Sequence, residues 1–309
     1  MSLIVFGSLN LDLVARSPRL PLPGETILGE GFEMLPGGKG ANQAVAAARL
    51  GAPTAMVGRV GRDAFGDRLR RALDADGVQT QGVAIDDEHP TGIALITVAQ
   101  SGENTIVVVP GANGAIAPSD LDHLAALLPG AKGLLLQLEI PLPAVVAAAQ
   151  RARAAGVWIV LDPAPVPAAF PAELYTAVDI LTPNQPEAEQ LLGAPIPTLA
   201  DAQAAACALR DRGVKTAIIT LGDRGVVYAT AQQTGHQPAF AVPVVDTVAA
   251  GDAFNGGLAV ALSEGQPLAA AIAWASATAA IAVTQPGAQP SLPSRSQVEA
   301  FLATQGRPH

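Results

Sequence analysis

Short apolar runs rich in β-branched residues alternate along the chain with longer amphipathic runs rich in alanine. The apolar runs predict strands at Leu3–Phe6, Thr54–Val60, Gly133–Gln137, Trp158–Leu161, Ile180–Leu181, Thr216–Thr220 and Val226–Tyr228. The amphipathic runs predict helices, each followed by a glycine where the helix should stop, at Ala41–Leu50, Phe65–Asp76, Pro143–Ala155, Pro186–Leu192 and Asp201–Arg212. This alternation favours a three-layer, doubly wound α/β fold, in which helices cover both faces of a mostly parallel sheet.

Two segments interrupt the alternation. Residues 12–36 contain short extended pieces with prolines and no helical period, and residues 91–110 contain two apolar runs around a predicted hairpin turn at Ser101–Asn104. We expect both segments to form a small sheet that projects from a single domain spanning residues 1–309 and serves as a lid that excludes water from a site. The alternative is that they are ordinary edge strands of the main sheet.

Composition narrows the possible functions. A net charge of −9 argues against binding to nucleic acid or to an anionic membrane surface. The longest apolar stretch, Leu268–Val283, is shorter than the ~20 residues of a membrane-spanning helix and predicts a buried core helix instead. The N-terminus lacks the basic start and cleavage site of a signal peptide, and the single cysteine, Cys207, cannot form an internal disulfide. We therefore expect a cytoplasmic protein.

The stretch Asp246–Gly257 carries the strongest chemical signal. Two aspartates, Asp246 and Asp252, bracket a run of tiny residues that leads into an apolar helical segment. Small residues at the start of a helix let backbone N–H groups approach an anion, where the helix dipole favours negative charge. A carboxylate beside a bound phosphate is electrostatically unfavourable, so its role should be proton chemistry. The pattern predicts phosphoryl transfer to a hydroxyl, with Asp252 as the general base.

A glycine-rich turn, Gly37–Gln43, opens the first predicted helix. Its glycines allow the backbone to approach a ligand, and Lys39 and Asn42 offer polar groups for hydroxyls. The turn satisfies neither the Walker A pattern nor the dinucleotide-binding pattern Gly-x-Gly-x-x-Gly after a strand. Taken alone, such a turn is structural about as often as it is functional.

Three further stretches follow predicted strands. Asn10–Asp12 comes just after the first strand, where a carboxylate can bind a diol or simply close a turn. Asn184 can cap the helix that begins near Pro186, or it can lie with Glu187 near Mg²⁺ and phosphates. Thr220–Gly225 connects two strands, and a nucleotide could lie along its backbone.

Taken in order, these segments resemble the PfkB family of carbohydrate kinases, and within it the ribose kinases. The resemblance runs essentially from end to end and rests on the glycine-rich segment Gly37–Gln43 and on Asp246–Gly257, in the right order and separation. The stretches Gln137–Glu139 and Gln285–Ser291 also match the ribose kinases.

The resemblance implies a role for each motif. The sugar would be bound by Asn10, Asp12, Gly38, Lys39, Gly40, Ala41, Asn42, Glu139 and Asp252. Asp252 would be the base, and the amides of Ala249, Ala250, Gly251 and Asp252 would form the anion hole. ATP would be bound by Asn184, Thr220, Leu221, Gly222, Asp223, Arg224, Gly225, Gly251, Asp252 and Ser276. Glu187 would organise Mg²⁺ through water.

The resemblance also implies a monovalent-cation activator, usually K⁺, and a homodimer formed through the lids. The cation would be held by Asp246, Val248, Ala282, Gln285, Gly287 and Ser291, mostly through backbone carbonyls. The alternative for residues 282–291 is a plain loop after a buried helix.

The expected function is therefore ATP-dependent phosphorylation of the 5-hydroxyl of D-ribose, which gives ribose 5-phosphate and ADP. One alternative is a sibling kinase that acts on deoxyribose, fructose or a nucleoside, because the contacts of one hydroxyl can decide the substrate. A second is a non-catalytic sugar-binding protein on the same fold, against which the intact Asp252 argues.

Overall fold

A nine-stranded sheet forms the centre of the molecule, for which a computed structural model describes residues 2–305. Its strands are β1 (Ser2–Phe6), β4 (Thr54–Gly61), β5 (Gln79–Asp86), β8 (Ala131–Leu136), β9 (Trp158–Leu161), β10 (Ile180–Leu181), β11 (Thr216–Thr220), β12 (Val226–Ala229) and β13 (Thr234–Gln237). Their order is β13-β12-β11-β10-β9-β8-β1-β4-β5, and every neighbouring pair is parallel except β11–β12 and β12–β13, which are antiparallel. The mostly parallel sheet expected from the apolar runs is confirmed.

Ten helices cover the two faces of this sheet within residues 2–305. They are α1 (Lys39–Arg49), α2 (Ala64–Ala75), α3 (Pro118–Leu127), α4 (Leu142–Ala154), α5 (Ala172–Ala177), α6 (Gln185–Leu192), α7 (Leu199–Asp211), α8 (Ala250–Ser263), α9 (Leu268–Ala282) and α10 (Arg295–Thr304). Helices α1, α2, α8, α9 and α10 pack on one face, and α3 to α7 pack on the other.

The central strand β1 shows why the fold has three layers. Leu3 and Val5 are buried in the core on one face, whereas Ile4 and Phe6 are buried in the core on the other face. Because successive side chains of a strand point to opposite sides, an unbroken apolar run requires helices on both faces. The continuous hydrophobicity of residues 3–6 thus sets the architecture.

A second, four-stranded sheet stands apart from the first. It consists of β2 (Asn10–Ser17), β3 (Gly31–Gly37), β6 (Gly92–Ala99) and β7 (Asn104–Val109), in the order β3-β2-β6-β7. We call this sheet the lid. The expectation of a separate lid is confirmed, and the alternative of edge strands in the main sheet is wrong.

Several elements differ from the sequence prediction. Asn10 and Asp12 lie within β2 of the lid rather than in a turn after β1. The edge strands β5 and β13 and the helices α3, α5 and α10 were not predicted, because their short or weakly periodic sequences resemble connecting segments. Helix α9 is buried in the core as expected. Within residues 2–305, no helix has both the length and the apolar character that crossing a membrane requires.

Candidate active site

A cleft of about 660 Å³ lies between the lid and the carboxyl ends of the parallel strands. Apolar residues of the lid, among them Ile96, Ile106 and Val108, line one side of it. The cleft also brings together eleven of the residues expected at a site: Asn10, Asp12, Gly38, Lys39, Asn42, Glu139, Asp246, Val248, Ala249, Asp252 and Gly287. This is the crevice in which open α/β sheets bind their ligands.

Asp252 lies at the floor of this cleft, in the first turn of α8, and it is buried. Its Oδ2 accepts a hydrogen bond from Asn42 Nδ2 at 2.9 Å, and its Oδ1 accepts one from Gln43 Nε2 at 3.1 Å. Burial raises the pKa of Asp252 to about 6, although Lys39 and the two amides favour the ionised form. A carboxylate with a pKa near neutrality can take up a proton and return it, as a general base must.

The start of α8 is shaped to receive an anion. The backbone N–H groups of Gly251 and Asp252 donate to no acceptor within residues 2–305. A side chain added at Gly251 would meet only open space. Ala249, just before the helix, has a φ of 59°, a left-handed conformation that is strained for alanine and is typical of functional sites. Unused N–H groups at a helix N-terminus form a site for phosphate.

Lys39 supplies positive charge to an acidic cluster. Burial alone would lower the pKa of Lys39, but Asp162, Asp252, Glu139 and Glu187 act together to raise it. Lys39 therefore stays protonated and keeps the pKa of the buried Asp252 from rising further. The ammonium group lies in the cleft, where it can neutralise charge on both the acidic residues and a phosphate.

A hydrogen-bonded chain behind the cleft supports Asp252. Gln137 Nε2 donates to Gln43 Oε1 at 2.6 Å, and this fixes the orientation of the Gln43 amide. Gln43 Nε2 then donates to Asp252 and, at 3.1 Å, to Asp162 Oδ2. Burial, against the opposing effect of Lys39, raises the pKa of Asp162 to about 8. The sequence prediction gave no role to Asp162, although a carboxylate directly after strand β9 is the same signal that singled out Asn10–Asp12.

Asp12 and Glu139 form the acidic side of the sugar-sized space. The Asp12 carboxylate accepts no hydrogen bond within residues 2–305, and burial, followed by Glu139 and Asp252, raises its pKa to about 7. A Cβ at Gly37 would overlap the Asp12 carboxylate, so this position requires glycine for space. Glu139 Oε2 accepts from Ser8 Oγ and, at 3.0 Å, from the backbone N–H of Lys39.

Gly40 and Ala41 lie behind the wall of the cleft. The N–H of Ala41 donates to Ser8 O at 2.9 Å, and a Cβ on Gly40 would come within 2.7 Å of the Gly7 carbonyl carbon. The structure thus does not bring these two expected sugar-binding residues into the cleft. They allow helix α1 to begin close against the chain that leaves β1.

Apart from Asp252, the residues expected to bind nucleotide lie outside the lining of the cleft. Asn184 and Thr220 are joined by a parallel β-bridge, and Arg224 donates to Gln185 Oε1. The remainder of the loop, Leu221, Gly222, Asp223 and Gly225, connects β11 to β12 as predicted. Ser276, on α9, has a buried Oγ with no hydrogen-bond partner within residues 2–305, and no recorded contact joins it to this loop.

Asn184 is the N-cap of helix α6. Its side chain accepts from the N–H of Glu187, and both oxygens of Glu187 accept hydrogen bonds from Asn184, at 2.8 and 2.9 Å. The capping alternative is thus realised in the structure. The described residues contain no group of three or more acidic, histidine or cysteine side chains that could chelate a metal. Glu187 fits a Mg²⁺ ion that is held mainly by phosphate and water.

Asp246 accepts hydrogen bonds from two other residues that are expected to hold a cation. Its Oδ1 accepts from Val248 N at 3.0 Å, and its Oδ2 accepts from Gly287 N at 2.8 Å. Ser291 is buried, and its Oγ donates to Ala288 O. Ala282 is buried at the end of α9, and Gln285 is exposed. These hydrogen bonds join Asp246, Val248 and Gly287, three of the six residues expected to hold a cation.

Comparison with known proteins agrees with this geometry. The family model "pfkB family carbohydrate kinase" matches residues 1–295. The ribokinase of Haemophilus influenzae is 42% identical over 301 residues, which cover 97% of this chain and 98% of the relative. The deoxyribokinase of Salmonella typhimurium is 37% identical over 303 residues, which cover 98% and 99%. The solved structure of Arabidopsis thaliana ribokinase complexed with ribose and ATP aligns with a TM-score of 0.90 at 36% identity, covering 97% of this chain and 98% of that one.

Proposed function

The chain belongs to the pfkB family of carbohydrate kinases, and we propose that it transfers the γ-phosphoryl group of ATP to the 5-hydroxyl of D-ribose. The products are ribose 5-phosphate and ADP. One observation carries this proposal: the buried Asp252 carboxylate, held by two side-chain amides, adjoins the unused N–H groups at the start of α8. The ribose kinases among its relatives favour ribose as the acceptor.

The chemistry follows from this arrangement. Asp252 accepts the proton of the sugar hydroxyl as the hydroxyl oxygen attacks the γ-phosphorus. The N–H groups of Gly251 and Asp252 and the ammonium group of Lys39 stabilise the negative charge on the transferring phosphoryl group. The protein forms no covalent intermediate, so catalysis comes from positioning and from electrostatic stabilisation.

Ribose is bound at the acidic side of the cleft. The half-buried carboxylate of Asp12 has no hydrogen-bond partner among the described residues, so it can accept from hydroxyl donors such as those of a diol. Asn10, Lys39, Asn42 and Glu139 surround the same space. This set suits a small furanose in which every carbon outside the ring ether linkage at C4 carries a hydroxyl, and Gly38 provides a close backbone approach.

ATP lies along Thr220–Gly225 and beside Asn184 and Ser276, with its γ-phosphate at the start of α8. Bound Mg²⁺ supplies charge neutralisation on the phosphates, and Glu187 holds its water shell. The loop around Asp246, with carbonyl groups of residues 248, 282, 285 and 287 and the hydroxyl of Ser291, holds a monovalent cation, K⁺ in the first instance. The hydrogen bonds of Asp246 to Val248 and Gly287 support this loop as one unit with the start of α8.

The acceptor is tested with a panel of four compounds. Purified protein, ATP and Mg²⁺ are incubated separately with D-ribose, 2-deoxyribose, fructose and adenosine, and ADP formation is measured. The proposal predicts the highest kcat/KM for ribose. A higher kcat/KM for deoxyribose would instead favour a deoxyribokinase activity, like that of the Salmonella relative. Ribose binding without ADP formation would favour the non-catalytic alternative.

We propose that the enzyme is a homodimer formed through the lids. The face of the lid turned away from the cleft is apolar and exposed at Phe32 (61%), Leu95 (45%), Val107 (59%) and Val109 (42%). Strand β7 is also an edge of the lid sheet, with unpaired backbone groups. An apolar face of this kind is favourable only when it is covered.

A charge on this face should dissociate the dimer. Val107→Lys places an ammonium group at the centre of the exposed apolar patch, so we expect light scattering to show half the wild-type mass at micromolar concentration. Ser101→Lys, at the hairpin tip of the same sheet, is the matched control and should keep the wild-type mass. A wild-type protein that already has the mass of one chain would refute the proposed dimer.

We also infer a cytoplasmic location. Cys207 is a free thiol that lies partly buried against the core, and a single cysteine leaves the chain without an internal disulfide. A fold held without disulfides suits a reducing compartment.

A further inference from the structure

Asn113 is a buried residue that has no part in the function proposed so far. It lies in a short 3₁₀ turn, Gly111–Ala115, directly after lid strand β7, and its side chain is 1% exposed. Its Oδ1 accepts from the N–H of Leu9 at 2.9 Å, and its Nδ2 donates to Leu9 O at 2.9 Å. Because the N–H of Leu9 can only donate and its carbonyl can only accept, the orientation of the Asn113 amide is fixed.

This fixed amide in turn orients Asn10. The second proton of Asn113 Nδ2 is donated to Asn10 Oδ1 at 2.8 Å. If the Asn10 amide were turned over, two NH₂ groups would face each other in a buried position, which costs the free energy of an unmade hydrogen bond. Asn10 lines the cleft, and its Nδ2 donates to no residue within 2–305. The donor of Asn10 is therefore left for a ligand.

Gly92 provides the space for this contact. Gly92 begins lid strand β6 and pairs with Asn10 in register. A Cβ on Gly92 would overlap Asn113 Nδ2, Asn10 Oδ1 and Pro110 O. The φ of Gly92 lies outside the left-handed region, so glycine is needed here for space rather than for backbone conformation. A side chain at this position could not coexist with the Asn113–Asn10 hydrogen bond.

We propose that Asn113 is a positioning residue that holds the Asn10 amide with its donor toward the sugar. This inference rests on the proposed sugar kinase function. Asn10 then presents a hydrogen-bond donor two residues along β2 from the acceptor Asp12, on the same side of the strand. One sugar hydroxyl can accept a hydrogen bond from Asn10. The same hydroxyl, or the adjacent one on the sugar, can donate a hydrogen bond to Asp12. Asn113 thus determines that the cleft presents a hydrogen-bond donor at Asn10 beside the acceptor at Asp12.

The same contact links the sugar site to the base of the lid. Asn10 begins β2, Gly92 begins β6, and Asn113 follows β7, so the three residues lie where the chain passes between the main sheet and the lid. The hydrogen bond between Asn113 and Asn10 therefore lies at the base of the lid.

A double-mutant cycle tests this role. Ribose affinity is measured by calorimetry, and kcat and KM by coupled assay, for wild type, Asn113→Ala, Asn10→Ala and the double variant. Because loss of one buried hydrogen-bond donor costs ~1–3 kcal/mol, Asn113→Ala should weaken ribose binding roughly 10- to 100-fold. The KM for ATP should stay within about threefold, and the double variant should bind ribose no more weakly than Asn10→Ala.

A glycine pair provides a second measurement in case Asn113→Ala folds poorly. Gly92→Ala should weaken ribose binding, whereas Gly114→Ala, in the same 3₁₀ turn as Asn113, has room for a Cβ and should behave as wild type. Unchanged ribose affinity in both Asn113→Ala and Gly92→Ala, or losses that multiply in the double variant, would overturn the role of Asn113. Absence of wild-type turnover with every acceptor would refute the kinase function instead, while calorimetry would still report on Asn113.

Discussion

Asp252→Asn is expected to lower kcat by about 10²–10⁴, the usual effect of losing a general base, while ribose and ATP still bind. The substitution keeps the shape of the side chain but removes the oxygen that takes the proton. The surrounding hydrogen bonds can adapt, because Asn42 Oδ1 has no partner in the structure and can turn toward the new NH₂ group. The measurement is kcat by coupled assay together with ribose affinity by calorimetry.

Asp122→Asn is the matched control for this substitution. Asp122 is 75% exposed on α3 and pairs with Arg151 at the surface, so its loss should leave kcat unchanged. In the wild type, the base must be ionised to act, and burial raises the pKa of Asp252 to about 6. The value of kcat should therefore fall as the pH drops below about 6 and level off above it. Near-normal turnover of Asp252→Asn would remove Asp252 from the mechanism.

Lys39→Met is expected to lower kcat/KM for ribose by about 10²–10³, the usual effect of removing one group that stabilises the charge of the transition state. Without the ammonium group, the carboxylates of Asp252 and Glu139 repel each other and the incoming phosphate. Lys39 also holds down the pKa of Asp252, so its loss should move the acid limb of the rate profile to higher pH. Part of the lost activity should thus return in alkaline buffer.

Lys39→Arg separates the effect of the charge from the effect of packing, and Lys215→Met is the matched control. Lys39→Arg keeps the positive charge and should retain more activity than Lys39→Met at every pH. Lys215→Met removes a lysine that is 70% exposed and pairs with Asp179, and it should leave the rate profile unchanged. A Lys39→Met profile with the wild-type acid limb would show that Lys39 does not act on the base.

The sequence predicted the main sheet well because its strands are buried on both faces. An unbroken run such as Leu3–Phe6 can only lie at the centre of a covered sheet. The edge strand β13 has only four residues, and none of them is a buried apolar residue, so its sequence carries no apolar strand pattern. Helix α5 has only six residues and depends on tertiary packing of Leu174 and Tyr175. The local sequence pattern therefore does not predict an element that is stabilised mainly by contacts with residues distant in the sequence.

The residues of the candidate site also divide into those that a local sequence motif reveals and those that only distant contacts reveal. Asp252 and Lys39 were predicted because they lie within short motifs whose small residues are themselves informative. Asp162, Gln137 and Asn113 act through side chains that are far away in the sequence. The Asn113–Asn10 hydrogen bond, for example, joins residues 103 positions apart. No spacing rule connects such pairs, since only the folded sheet brings them together.

Analysis of the reaction products tests the central claim most directly. Wild-type protein, D-ribose, ATP and Mg²⁺ are incubated together, and the phosphorylated sugar is examined by phosphorus NMR with proton coupling. The proposed function predicts ADP and a sugar phosphate in equal amounts, with the phosphate coupled to the two protons of the primary carbon, as in ribose 5-phosphate. ADP release without sugar phosphate, or phosphate on the anomeric carbon, would contradict it.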